Sequence, residues 1–259
     1  MQTIAIMNLK GGTGKTMTAI NAAAILARDY GARVLLADAD SQANLTEFVI
    51  EDKTDDTSKG GLADVLRRKS VEIRKTNMEK VKLLPADASL MALDITRAGT
   101  DDIDTMALAD LLSDSVAGIL FDVCIIDCPP AFSAAAMAAL IAADEVVVPL
   151  RLDAFGIRGM TNLLEQIRNM QRVNADLTLA GVLPTMYFAT EQQKKAEADL
   201  RAGMNALGIR TFAHIRSSRK VDDSTFQEKP LIYSSPNAGA TRDYKRFVAD
   251  LMGGGDYVV

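Results

Sequence analysis

The sequence predicts a doubly wound α/β domain, a mainly parallel sheet flanked by helices, and three observations carry that prediction. Apolar runs of strand length recur at residues 3–7, 33–37, 81–84, 123–126, 145–150 and 177–183. Stretches of helical character fall between and after them, at residues 15–30, 104–112, 131–143, 157–174, 192–207 and 242–252. Alternation of this kind builds a parallel sheet with both faces covered. Finally, 259 residues that are 48% hydrophobic and 24% charged suffice for one full core, expected as a single domain over residues 1–252. The glycine-rich end, 253–259, is expected to form a flexible tail.

The first strand, Thr3-Ile4-Ala5-Ile6-Met7, leads into Lys10-Gly11-Gly12-Thr13-Gly14-Lys15-Thr16. Glycines let successive backbone N–H groups turn onto a phosphate without Cβ clashes. The helix that follows is alanine-rich, with Ile20, Ala23, Ala24 and Ala27 on one face and Gly31 as its stop. Its N-terminus aims a dipole and free N–H groups at the same point. Lys15 is then placed for the β/γ-phosphates and Thr16 for Mg²⁺, and the nucleotide-binding segment runs on to Met17. A tight turn that merely joins strand to helix is the plainer alternative, and both flanks argue against it. Lys10 is a second lysine where one is enough.

The second strand ends in Asp38-Ala39-Asp40-Ser41-Gln42-Ala43-Asn44, and the strand at 123–126 ends in Asp127-Cys128-Pro129-Pro130. Open α/β sheets gather their ligands at this carboxyl edge. Asp127 is the expected partner of Mg²⁺ through water, with Asp38 a second candidate. Residues 51–60 form a polar stretch expected to be a solvated loop. The only two cysteines, Cys124 and Cys128, lack the spacing of a metal or disulfide framework, which suits a cytoplasmic protein. His214, near a strand end, is expected to have no partner of a catalytic kind, and the stripe 134–143 reads as core helix.

Here the chain resembles a known family. The two-lysine loop is similar to the deviant Walker A box of the P-loop ParA/MinD ATPases. Residues 38–44 resemble that family's Asp-x-Asp-Pro-Gln-x-Asn segment, and 121–130 match its Walker B strand. Pro149-Leu150 and 180–186 look like the later ParA core. The resemblance implies an ATPase that uses ATP and Mg²⁺. It implies that Asp40 orients or activates the attacking water, and that Lys10 reaches a partner subunit's nucleotide in an ATP-bound homodimer. A solvated loop charge is the other reading of Lys10. Segments 38–47 and 127–136 would be switches that respond to the γ-phosphate. Hydrolysis would be stimulated by a ParB-like, DNA-bound adaptor. With the loop starting at residue 10, the short form without an N-terminal helix-turn-helix domain is expected.

Net charge is −5, yet residues 194–246 carry eleven Lys/Arg against six Asp/Glu. Arg216, Arg219, Lys220, Arg242, Lys245 and Arg246 are the candidates for a surface that tracks DNA phosphates, as in ParA proteins, and is indifferent to sequence. Such a protein would be nucleoid-associated. A solvated helix face is the competing reading for 242–246. Ser41, Ala43, Arg216 and 222–225 depart from the family pattern. The rival function is a MinD-like membrane-cycling ATPase, which needs an amphipathic C-terminal helix. The segment 242–252 carries two aspartates and ends in glycines, and no apolar run is long enough to span a bilayer, so a membrane partner is not expected.

Overall fold

The computed structural model describes residues 1–54, 60–96, 103–113 and 119–253. Seven strands, β1 (Gln2–Ile6), β2 (Val34–Asp38), β3 (Arg74–Lys75), β4 (Val81–Leu84), β5 (Val123–Asp127), β6 (Glu145–Arg151) and β7 (Thr178–Thr185), form one sheet in the order β3-β4-β2-β5-β1-β6-β7. Every pairing is parallel except β3 with β4. Central strands buried on both faces explain the near-continuous apolar runs.

After β1 comes α1 (Lys15–Asp29), whose Ala22, Ala23 and Ala24 are fully buried and let its backbone lie close to the sheet. Beyond β2 lie α2 (Asn44–Val49) and α3 (Leu62–Val65), and after β4 come α4 (Ser89–Thr96) and α5 (Ala107–Ser113). Then follow α6 (Ala134–Ala142), α7 (Ala154–Met170), α8 (Glu191–Ala206), α9 (Arg219–Gln227), α10 (Leu231–Ser234) and α11 (Gly239–Leu251). One apolar layer packs α1, α2, α10 and α11 on one face, and the second packs α3 to α8 on the other.

The expected strands are present, with two additions of physical interest. Asp38 and Asp127 are the last residues of their strands rather than the first beyond them, and the register sets them side by side. β7 runs on to Thr185 because residues 211–216 cover its outer edge, through bridges Val182↔Thr211 and Tyr187↔Arg216. Helix starts move to their caps. The helix expected at 131 begins at Ala134, where the Ser133 hydroxyl accepts from Ala136 N–H at 3.1 Å. The one expected at 157 begins at Ala154, capped by Asp153. The one expected at 242 begins at Gly239. α9 has no counterpart among the expected helices, and its only buried residue is Ser224. Of the polar loop at 51–60, residues 51–54 are exposed, while 55–59 lie outside the described residues, as does the tail from 254.

Candidate active site

The loop between β1 and α1 is held by two buried side chains, Asn8 and Thr185. Asn8, buried at the exit of β1, donates to Pro149 O at 2.7 Å and accepts from Lys10 N–H at 2.9 Å. Thr185 at the end of β7 donates to Thr13 O at 2.8 Å. Gly12 and Gly14 have φ of 67° and 83°, left-handed values that favour glycine. A Cβ at Gly11 or Gly12 would meet nothing within 4 Å. The space beside this backbone is open, as a phosphate cradle requires.

Beneath the cradle is a set of buried charges. Lys15 is 7% exposed and donates to Lys10 O at 3.3 Å. Burial lowers its pKa, and Asp127, then Cys128 and Asp40, pull it back up. Asp127 is 1% exposed and takes a hydrogen bond from the Thr16 hydroxyl, while its Oδ1 has no partner. Burial, reinforced by Asp38, pushes its carboxyl well above the usual range. Asp38 is pushed to about 6, again by burial, against hydrogen bonds that favour its ionised form. Two carboxylates in register, one with an orphaned oxygen next to a threonine hydroxyl, fit a divalent cation.

Asp38 plays a second part. Its Oδ2 accepts from Thr46 N–H at 2.9 Å and Thr46 Oγ1 at 2.8 Å, and its Oδ1 accepts from Asp40 N–H at 3.1 Å. It therefore shapes the turn on which Asp40 stands. Asp40 is half-buried and accepts from Gln42 N–H at 3.0 Å.

Lys10 is placed differently from Lys15. Its ammonium contacts both oxygens of Asp153 at 2.8 Å, at a half-exposed rim. Asp153 also caps α7 by accepting from Gly156 N–H at 2.7 Å. Burial raises the pKa of this carboxyl, but Lys10 and Gly156 outweigh it and hold it below the usual range. Asp153, Asn8, Thr46 and Thr185 escaped the sequence reading. Only Asp153 left a signal, an acidic residue just before a helix.

Beside the loop lies a cavity of about 160 Å³, lined by Gly14, Met17, Met186, Phe188, Ile215 and Arg216 among others. A larger groove of about 700 Å³ lies at the far end of α1. There Arg28 donates to Ile232 O, Lys80 donates to Gly31 O and Lys53 pairs with Glu228, well away from the phosphate loop.

The structure separates the six candidate DNA-binding cations. Arg216 is half-exposed and its Nε and Nη2 donate to Asp243 at 2.7 and 2.9 Å, so this cation is also a structural partner and a cavity wall. Lys245 pairs with Asp29 at 2.8 Å and Lys220 with Asp223 at 3.1 Å. Arg246 lies 3.6 Å from Asp243. Arg219 and Arg242 are exposed and form no ion pair among the described residues. His214 does have partners: Nδ1 lies 3.1 Å from Glu197 and the ring stacks on Tyr187, with centroids 3.8 Å apart.

A strand–glycine loop–helix unit with a buried lysine, a threonine hydroxyl and a converging carboxylate pair defines a P-loop nucleoside triphosphatase. A family model described as an AAA domain matches residues 1–179. The chromosome-partitioning ATPase Soj of Thermus thermophilus is 32% identical over 253 residues, covering 96% of this chain and 94% of Soj. Among solved structures, apo McdA of Cyanothece superposes with a TM-score of 0.83 at 25% identity, over 97% of this chain and 99% of McdA. Cobyrinic acid a,c-diamide synthase of Mycobacterium smegmatis, bound to an ATP analogue and magnesium, superposes at 0.75 with 28% identity, over 97% and 94% of the two chains. The chain belongs to the ParA/Soj family of partitioning ATPases. It is an ATPase that works with ATP and Mg²⁺.

Proposed function

We propose that the protein dimerises on ATP, binds DNA without sequence preference, and is released when a DNA-bound, ParB-like adaptor stimulates hydrolysis. The observation that carries this reading is the division of labour between the two lysines. Lys15 is buried under its own phosphate cradle, whereas the Lys10 ammonium sits at the half-exposed rim on Asp153, where a second subunit's nucleotide would meet it. The relative named as a chromosome-partitioning ATPase supports the partitioning role within this reading.

In that cycle Gly11 to Thr16 hold the phosphates, and Mg²⁺ supplies charge neutralisation at the β/γ-oxygens. Thr16, Asp127 and Asp38 are the residues that would hold the ion. Asp40 orients the attacking water, and the cavity beside Met17 takes the base. Arg219, Arg242 and Arg246 form the DNA surface, with Lys220 and Lys245 joining once released from their ion pairs. Nucleoid association follows from that surface.

The membrane reading loses its main support in the packing of α11. Tyr244, Phe247, Val248 and Leu251 turn inward against the core, so its apolar face is occupied. Among the described residues no helix is long and apolar enough to cross a membrane.

The test presents ATP-loaded protein to duplex DNA and to anionic liposomes in parallel, with ADP and Lys10→Ala as controls. DNA binding that depends on ATP and Lys10 is the expected result. Binding to liposomes alone would sink the proposal.

A further inference from the structure

We propose that Arg216 is the specificity-determining residue of the base cavity, a hydrogen-bond donor fixed in place by Asp243. The proposal rests on the reading that this cavity takes the nucleobase.

The cavity is continuous with Gly14 and Met17, so a triphosphate seated in the loop delivers its nucleoside there. Most of its surface is apolar, with Met186, Phe188 and Ile215 among the walls, and Arg151 and Asp222 are its other charged residues. A mostly apolar pocket selects its ligand through the few polar groups placed in it. Arg216 is built for that task from three sides. Its Nε and Nη2 form a fork on the two oxygens of Asp243, and its backbone N–H binds the same carboxylate at 3.0 Å. Asp243 is only 3% exposed, so the fork is anchored in the core of the helix packing. Gly239 then leaves room for the guanidinium, since a Cβ at that position would stand 2.6 Å from Nη1 and 2.8 Å from Cζ. With Nε and Nη2 committed, Nη1 is the donor left for a ligand.

A fixed donor ranks bases by whether an acceptor or another donor meets it, because the mismatched partner leaves a desolvated polar group unpaired. Lysine cannot replace this arrangement, since one ammonium cannot both fork onto Asp243 and reach the base.

Calorimetric binding of ATP, GTP and inorganic tripolyphosphate, each with Mg²⁺, to wild type, Arg216→Lys and Arg216→Met tests this. Arg216→Lys keeps a cation for the buried carboxylate, so its melting temperature serves as the folding control. The expected result is ATP binding about tenfold weaker in both variants, the size of one charged hydrogen bond. Tripolyphosphate affinity stays unchanged and the ATP/GTP preference falls towards one. Wild-type ATP affinity in Arg216→Lys, or parallel losses for ATP and tripolyphosphate, would overturn the proposal. If wild type itself binds ATP no better than tripolyphosphate, the base-cavity reading fails and the proposal falls with it. A wild-type preference for ATP that survives in Arg216→Lys removes Arg216 alone.

Discussion

The charges at the carboxyl edge of the central strands and the charges on the C-terminal helices are solvated by different media. Lys15, Asp38 and Asp127 are each less than one-tenth exposed and depend on one another and on backbone N–H groups for stabilisation. Arg219, Arg242 and Arg246 stand in water on α9 and α11. Removing one member of the first group strands the others in a low-dielectric site. Removing one of the second changes a surface field by one charge. The first group is therefore suited to chemistry at a defined point, and the second to loose attraction over a polyanion.

The sharpest way to break this contrast is at Asp127. Asp127→Ala is expected to lower ATP turnover by about 10–100-fold and to raise the Mg²⁺ concentration needed for half-maximal rate. Arg242→Gln is expected to leave basal turnover as it is. A Mg²⁺ dependence unchanged in Asp127→Ala would remove this carboxylate from the metal site.

The buried pair also makes a prediction about pH. Asp38 titrates near 6 in the folded protein against 3.8 for the ordinary side chain, and Asp127 is raised in the same sense. A raised carboxyl pKa contributes stability that is complete below the unfolded value and lost as pH rises through the folded one. For Asp38 the loss is about 2 kcal/mol between pH 4 and pH 7. Nucleotide-free protein without Mg²⁺ should therefore melt at a lower temperature at pH 8 than at pH 5, and Mg²⁺ with ATP should recover the difference. A melting temperature that is flat over this range would mean that the pair is better solvated than its burial indicates.

The same contrast explains what the sequence made legible. The loop and the two acidic strand ends were readable because strand, glycine run and helix must follow one another in the chain for the geometry to exist at all. Their supports were not, because Asp153 and Thr185 reach the loop from elements far along the chain, Thr46 bonds Asp38 from the following helix, and a lone polar residue has no periodicity. On the C-terminal side, charge counting found a basic surface but could not tell a free cation from a paired one. Arg216 and Lys245 are committed to Asp243 and Asp29, and those pairings depend on how α11 lies against its neighbours. α9 was missed because a helix that buries only Ser224 carries almost no apolar stripe.

The surface group makes its own, smaller prediction. If DNA binding proceeds by counterion release, each phosphate that a variant leaves unneutralised lowers the slope of log affinity against log salt by about 0.9. Arg242→Gln is expected to cost close to that amount. Lys245→Gln should cost less, since its ammonium starts on Asp29. Equal effects of the two substitutions would show that the Asp29 pair opens freely when DNA arrives.

The smallest effect tests the claim that surface charges are cheap while backbone geometry is not. Glu228, the residue that ends α9, is left-handed at φ 49°, a conformation that costs a non-glycine residue about 1 kcal/mol. Its N–H binds Ser224 O and its carbonyl accepts from Asn77 Nδ2 at 3.0 Å, and glycine keeps both hydrogen bonds. Its carboxylate pairs with Lys53 on the surface, an interaction worth about 0–1 kcal/mol. Glycine loses that pair and some unfolded-state advantage, yet it relieves the strained backbone. Glu228→Gly is therefore expected to raise the melting temperature by about 1–3 °C. A fall of several degrees would show that the Lys53 pair outweighs the backbone, and that on this flank surface charge is not the cheaper of the two.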